Sequence, residues 1–221
     1  MLVNPWDAAL DDAEWNEWLG SHEPWGVLAV NNLDRAQAPL VLPLHFAAQG
    51  DELLIHLATP NPVWPHLEAS EEVRLSVQDD YAYIPGYWRA KPGGPEEDGV
   101  PTSYYSAIQF VCRPMIIDDP RGKVEILTAQ LGAFQPEGRH ASVAVDDPPY
   151  GHLLSAIRGV RLQVLRVEAK FKYDDAKSIE HRQRVIGYLQ ARNHGLDAGA
   201  AAQQRRRLSA IGDWRPQQQR R

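Results

Sequence analysis

Apolar positions along this chain alternate with polar ones over short runs more often than they recur every three or four residues. Three short apolar runs, "GVLAVN", "PLVLPLHF" and "ELLIHL", are separated by "NLDRAQA" and "AAQGD". Short apolar runs with turn chemistry between them predict a β-meander, and Pro43 inside the second run sends that strand to an edge or a bulge. "EVRLSVQ" sets Val73, Leu75 and Val77 on one face, and "YAYI" continues the extended chain with Tyr81 and Tyr83 opposite Ala82 and Ile84. "YSAIQFVCRPMII" is a long strand carrying Ile108, Phe110 and Cys112 on one side. In "GVRLQVLRVEAKFKY" the apolar phase slips between Val164 and Leu165, which predicts a β-bulge.

Helical spacing is confined to fewer places. Trp15, Trp18 and Leu19 stand at i, i+3, i+4 in "DAEWNEWL", ended by Gly20. "NPVWPHLEAS" predicts a turn or two of helix with Asn61 as N-cap and Pro62 at the first helical position. "DPRGKVEILTAQLGAF" presents Val124, Leu127 and Leu131 as an apolar face, and "DDPPYGHLLSAI" predicts a second helix with early prolines. Residues 178–192 form a charged helix ended by Asn193 and Gly195, and "AAAQQRRRLSA" is compatible with another. "KPGGPEEDGVP" is the clearest loop. About six strands, few helical crossovers and peripheral helices predict a mainly β (α+β) fold, an antiparallel barrel with flanking helices.

Composition narrows the class without changing this picture. With 221 residues, 43% hydrophobic and 24% charged, the chain suits one generous globular domain. The single cysteine, Cys112, allows no intrachain disulfide, and the acidic start "MLVNPWDAALDDAEW" has no basic, then apolar leader. Without a membrane-length apolar run, the expectation is a cytoplasmic protein. Charge does divide the chain. Residues 181–221 hold nine arginines against Asp197 and Asp213, a net of +7, so residues 1–180 carry −13 of the chain's total of −6. We therefore expect a domain over residues 1–196 and a basic, partly disordered tail over 197–221. Docking of that tail on the acidic body, or disorder, is favoured over DNA binding, since no helix-turn-helix or zinc-finger pattern accompanies it.

Chemical motifs are scarce. Nucleotide-binding glycine loops, a nucleophile elbow and a zinc-binding helix motif are all missing. His45, His56 and His66 fall on a strand, a strand and a turn, and hydrogen-bonded structural roles outweigh a metal site. Cys112 inside a strand pattern reads as a buried inert thiol. The aromatic run "QDDYAYIPGYW" leaves two readings: a sheet edge capped by rings, or the wall of a pocket for a flat ligand.

Three blocks in order, "LLIHLATPNPVWPHL", "QDDYAYIPGYW" and "GVPTSYYSAIQF", resemble the PaiB-type family of FMN-binding split-barrel proteins, often called negative transcriptional regulators. The matching positions are His56, Ala58, Asn61, Pro62 and Trp64; Ala82, Tyr83, Ile84 and Trp88; and Val100, Pro101, Thr102 and Tyr105. "IRGVRLQVLRVEAKFK" resembles a fourth block, so the likeness runs from Gly26 to about Arg192. It implies a split β-barrel, a homodimer with pockets at the subunit interface, and FMN as cofactor. The implied cofactor-binding residues are Thr59, Asn61, Trp64, Tyr83, Trp88, Thr102, Tyr104, Tyr105 and Gln109.

Departures gather at polar positions. The family's arginine or lysine falls at Thr59, its glycine-proline-histidine becomes Asp79, Asp80 and Tyr81, and its S-Q-N-[KR] becomes Asp174 to Lys177. An FMN phosphate favours cations or backbone N–H donors, so weak or partial FMN occupancy is expected, with Arg74, Arg89 or Arg113 available to compensate. Two functional classes follow. One is an FMN-binding protein, either a small flavin oxidoreductase or a flavin-sensing regulator. The other is a degenerate barrel without flavin that binds another small molecule, haem included, with His45, His56 or His66 as ligands.

Overall fold

A computed structural model describes residues 1–214. Among these residues the strands are β1 (Trp25–Val30), β2 (Leu40–His45), β3 (Ala47–Gln49), β4 (Glu52–Ala58), β5 (Val73–Ile84), β6 (Thr102–Ile117) and β7 (Ile157–Lys172). They form one antiparallel sheet in the order β2-β1-β5-β6-β7-β4-β3. The helices are α1 (Asp12–Gly20), α2 (Trp64–Glu68), α3 (Gly86–Arg89), α4 (Pro120–Phe134), α5 (Ile179–Arg192) and α6 (Asp197–Ile211). No helix among the described residues is long and apolar enough to cross a membrane.

The seventh strand is the three-residue β3, too short to leave a pattern in the sequence. The expected meander is only half formed. β1 and β2 pair as a hairpin from Trp25↔His45 to Val30↔Leu40, and β2 with its Pro43 lies at an edge of the sheet. β4 instead pairs with β7, from Glu52↔Gln163 to Ala58↔Ile157, because alternation marks a strand's buried face but not its partner. In β5 burial passes from Val73, Leu75 and Val77 to Asp80, Ala82 and Ile84. The phase changes at Asp80, whose φ is 55°, so Tyr81 and Tyr83 remain exposed.

Several helix expectations are corrected. α2 begins at Trp64 with Val63 as its N-cap, and the Asn61 Oδ1 accepts instead from the Val63 N–H two residues on, at 3.0 Å. The buried face of α4 is Gly122, Lys123, Ile126 and Gln130 rather than Val124, Leu127 and Leu131. "DDPPYGHLLSAI" contains only a 3₁₀ turn at Gly151–Ala156. At α5 the sequence signals hold: the Ser178 hydroxyl accepts from the His181 N–H, and Asn193 closes the helix at φ 45°.

The chain divides into two compact units. One comprises Trp18–Val77 and Gln109–Val167. Its core includes Leu28, Val30, Phe46, Leu75, Val160 and Leu162, and α4 lays Ile126 on Ala47 and Leu54. Gly159 of β7 permits that approach, since a Cβ there would stand 2.5 Å from Ile126 Cδ1. Cys112 is buried in this unit, and burial pushes its thiol up to about 12.

The other unit comprises Met1–Glu17, Gln78–Ile108 and the chain from Glu168 on. Residues 197–211, read from sequence as the start of a tail, form α6 here, while 215–221 lie outside the described residues. The basic stretch is turned onto acids. Arg207 donates to Asp175 and, at 2.7 Å, to Glu14; Arg182 donates to Asp175 at 3.1 Å; Arg206 reaches Glu14 at 2.6 Å. Arg182, Arg207 and Asp175 are almost wholly shut from solvent. Burial raises the Asp175 carboxyl from its ordinary value, and the charges and hydrogen bonds of Arg207 and Arg182 oppose that rise. Removing one member of such a set strands the others in an apolar interior. Asp175→Ala should therefore lose about 3–5 kcal/mol, read as a lower urea midpoint, whereas truncating the exposed Arg205 should change little.

Candidate functional site

Three of the nine expected site residues meet at one cavity. Thr59, Asn61 and Trp64 line a space of about 810 Å³ in the unit containing β4, together with Glu68, Asp118, Lys123, Ser155 and Arg158. Local chain geometry explains the gathering. Thr59 follows β4 and gives its N–H to the Ala156 carbonyl at 2.8 Å and its hydroxyl to the Ser155 carbonyl at 3.1 Å. Trp64 opens α2, is buried, and donates its indole N–H to the Ala58 carbonyl at 3.0 Å. Arg158 lies beside Leu57 in the β4–β7 register, which brings it to the cavity.

Arg158 dominates the electrostatics. Its Nε and Nη2 form a fork to Asp118 with both contacts at 2.7 Å, its Nη1 donates to Glu68 at 2.7 Å, and its guanidinium lies 4.6 Å from the Trp64 ring centre. The hydrogen bond from Arg158 holds the Asp118 carboxyl below its ordinary value. Lys123, buried on α4, gives one N–H to the Leu154 carbonyl at 3.0 Å. Two cations thus face two carboxylates. Sequence reasoning missed Lys123 and Arg158: apolar spacing pointed to Val124, Leu127 and Leu131 as the buried face of α4, and an arginine at the start of a strand marks no site by itself. The cavity's acids are Glu68 and Asp118 rather than Asp79 and Asp80, which belong to the other unit. Of the suggested compensating arginines, Arg74 donates to Gln109 at 2.6 Å and Arg89 is bound to Asp174. Gln109, the fourth expected residue in this unit, therefore serves Arg74 and does not line the cavity.

Tyr83, Trp88, Thr102, Tyr104 and Tyr105 belong to the other unit. Tyr83 is exposed on β5. Trp88 is covered by Tyr188, stacked at 5.1 Å, and by the Arg192 guanidinium at 4.6 Å. Tyr105 lies under Lys170 and Lys172, and Thr102 opens β6 half-buried. Tyr104 is fully buried, and burial first, then the nearby Asp174 charge, keeps its hydroxyl protonated. It donates to Asp174 Oδ2 at 3.1 Å, an oxygen that also accepts from Arg89 Nε at 3.0 Å and His181 Nε2 at 3.3 Å. Of the three histidines weighed as ligands, His45 and His56 meet edge to face at 5.7 Å, and burial and His56 lower the His45 value. His56 Nδ1 is 2.6 Å from Gln130 Oε1, and His66 Nδ1 accepts from the Leu33 N–H.

The architecture is that of the flavin-binding split barrels. It is similar to the flavocytochrome Anf3 from Azotobacter vinelandii, with a TM-score of 0.58 and 17% identity over 76% of this chain and 70% of that one. A FAD and heme binding protein from Mycobacterium smegmatis is similar at TM-score 0.54 and 18% identity, covering 75% of this chain and 73% of the other. Residues 1–166 match the family described as "Putative FMN-binding domain", and the chain belongs to that family, so its cofactor class is a flavin. It is also 27% identical over 154 residues to Protease synthase and sporulation protein PAI 2 of Bacillus subtilis, covering 67% of this chain and 70% of that protein.

Asp174 has a titration signature that can be checked. Burial would raise its carboxyl, but the hydrogen bond from His181 and the charge and hydrogen bonds of Arg89 together hold it below the ordinary 3.8. A carboxyl lowered in the folded state adds stability above its unfolded value and loses it as pH falls through the folded value. Asp174→Asn suits the backbone, since φ there is 57° and Asn tolerates the left-handed region. The wild-type advantage in urea midpoint should be present at neutral pH and close as pH falls below about pH 4.

Proposed function

We propose that this protein binds FMN weakly and exchangeably at the Thr59–Asn61–Trp64 cavity, and that it acts as a flavin-sensing protein rather than holding flavin permanently. The observation that carries this reading is the state of Arg158. It is the strongest anion-binding group at the cavity, and Asp118 and Glu68 already hold it. The residues fit the polar end of the ligand. Asn61 keeps its amide NH₂ for a ribityl or phosphate oxygen, Lys123 has spent one of its three N–H groups, and a volume of about 810 Å³ suits a nucleotide-sized molecule.

A bound flavin supplies hydride and one-electron chemistry. The chain's own groups at the cavity orient and neutralise. Lys123 and Arg158 would face the phosphate, and Thr59 holds the loop to Ser155. The ring end needs a flat apolar wall, and Trp64 is covered by Arg158. A second copy of the chain supplying that wall is the reading that favours a homodimer.

FMN titration followed by flavin fluorescence tests the proposal. Binding should saturate in the micromolar range or weaker, and unaltered emission at tens of micromolar protein would sink it. Arg158→Gln should weaken binding about tenfold, because one charge-assisted contact is worth about that much. Asp118→Asn should tighten it by freeing Arg158. Between pH 7 and pH 5 affinity should fall, since a phosphate monoester takes up its second proton near pH ~6. Asp118 is held below 3.8 and keeps its grip on Arg158 throughout that range, so acid gives no compensating release.

A further inference from the structure

The unit containing α5 has a cavity of its own, of about 560 Å³, to which the flavin reading assigns nothing. Its wall comes from α3, the following loop and the start of α5. Gly86 and Gly99 make that loop possible. A Cβ on Gly99 would lie 1.9 Å from the Gly86 carbonyl oxygen, so the two ends of the loop can touch only as glycines. The pinched loop holds Lys91, Pro92, Pro95 and Asp98 along one side of the space.

Cations converge here from three separate segments. Arg89, Lys91, Lys177 and Arg184 line the cavity, with His181 beside them, against Asp98 and Glu180. Two of these groups are fixed in advance by one carboxylate. Asp174 takes the Arg89 fork at 3.0 and 3.1 Å and the His181 Nε2 at 3.3 Å, while the remaining Arg89 Nη1 donates to the Val100 carbonyl. Asp174 is held at φ 57°, a strained conformation of the kind that persists where the surroundings fix it. Arg184 donates to the Ala90 carbonyl at 3.2 Å, tying α5 to the loop.

Lys91 and Lys177 are different. Both are exposed, and neither has an ion pair among the described residues. Lys177 stands just before Ser178, the N-cap of α5, where the partial positive charge of the helix end repels it. With Arg89 matched by Asp174, Lys91, Lys177 and Arg184 face the two wall carboxylates Asp98 and Glu180, a local excess of one cation, and none of the three has an ion pair among the described residues. The Thr59 cavity, by contrast, balances two cations with two carboxylates.

We propose that this second cavity binds a small phosphorylated ligand, a phosphate monoester separate from FMN, with its oxyanion between Lys91, Lys177 and Arg184. Pro92, Pro95 and Val100 supply apolar wall for the rest of the molecule. The site does not depend on the flavin assignment.

Inorganic phosphate and pyrophosphate are the probes, titrated calorimetrically into the full chain, with FMN and riboflavin compared in parallel. Both lysines are exposed, so Lys91→Gln with Lys177→Gln should leave folding intact, checked by an unchanged thermal midpoint. The double variant should weaken pyrophosphate binding about tenfold or more. FMN affinity should stay unchanged in it, and Arg158→Gln should leave pyrophosphate binding unaffected. Equal pyrophosphate affinity in wild type and double variant, or no binding at tens of millimolar, would overturn the proposal. So would a double variant that loses FMN but still binds riboflavin, because the cavity would then serve the flavin's own phosphate.

Discussion

The carboxylate of Asp175 is where the organisation of one whole unit converges. It sits at full burial between the end of β7 and the start of α5, and it receives Arg182 from α5 and Arg207 from α6. Arg207 then passes to Glu14 of α1 and to the Trp6 and Ala8 carbonyls, so the N-terminal segment and the last helix are joined through one guanidinium. Ions removed from water to this degree tolerate few arrangements, because each misplaced partner leaves an unsatisfied charge. The network therefore acts as a specification of which helix lies where. Apolar packing around Tyr173, Val185, Leu189 and Ala200 supplies the bulk of the burial.

Asp174, the neighbouring residue, does a different task with the same chemistry. Its left-handed backbone turns the chain so that consecutive carboxylates serve different groups: one ties the helices together, the other holds Arg89, His181 and Tyr104. Together Asp174 and Asp175 make the segment after the last strand a cation-organising corner. In the other unit the corresponding constraint is softer. Arg158 is shared by two acids that are more than half exposed, so solvent screens the pair and a competing anion meets a modest barrier.

Much of the fold was legible in the residues. Short apolar runs and alternation located the strands other than β3, Pro43 marked an edge, and Ser178 with Asn193 bounded α5. The period of two set Tyr81 and Tyr83 opposite Ala82 and Ile84, but which pair is exposed was decided by the phase change at Asp80. The order of the aromatic and proline blocks was enough to indicate the family. Thr59, Asn61 and Trp64 are close in sequence, and a short turn sufficed to bring them to one cavity.

What only the tertiary structure decided concerns charge and partnership. Lys123 and Gln130 read as surface polar residues of α4, yet they lie on its buried face because the helix crosses β4 and β3 with that side down. Arg158 reaches the cavity through the register of β7 against β4, and register depends on the partner strand, which no local pattern names. The arginines of "QQRRRLSA" resemble a solvated run until Glu14 and Asp175 meet them in space. The physical reason is common to all three. Apolar periodicity reports that a face is buried, and that information is local. A charge buried with its counter-charge has the same letters as one in water, and only the fold distinguishes them.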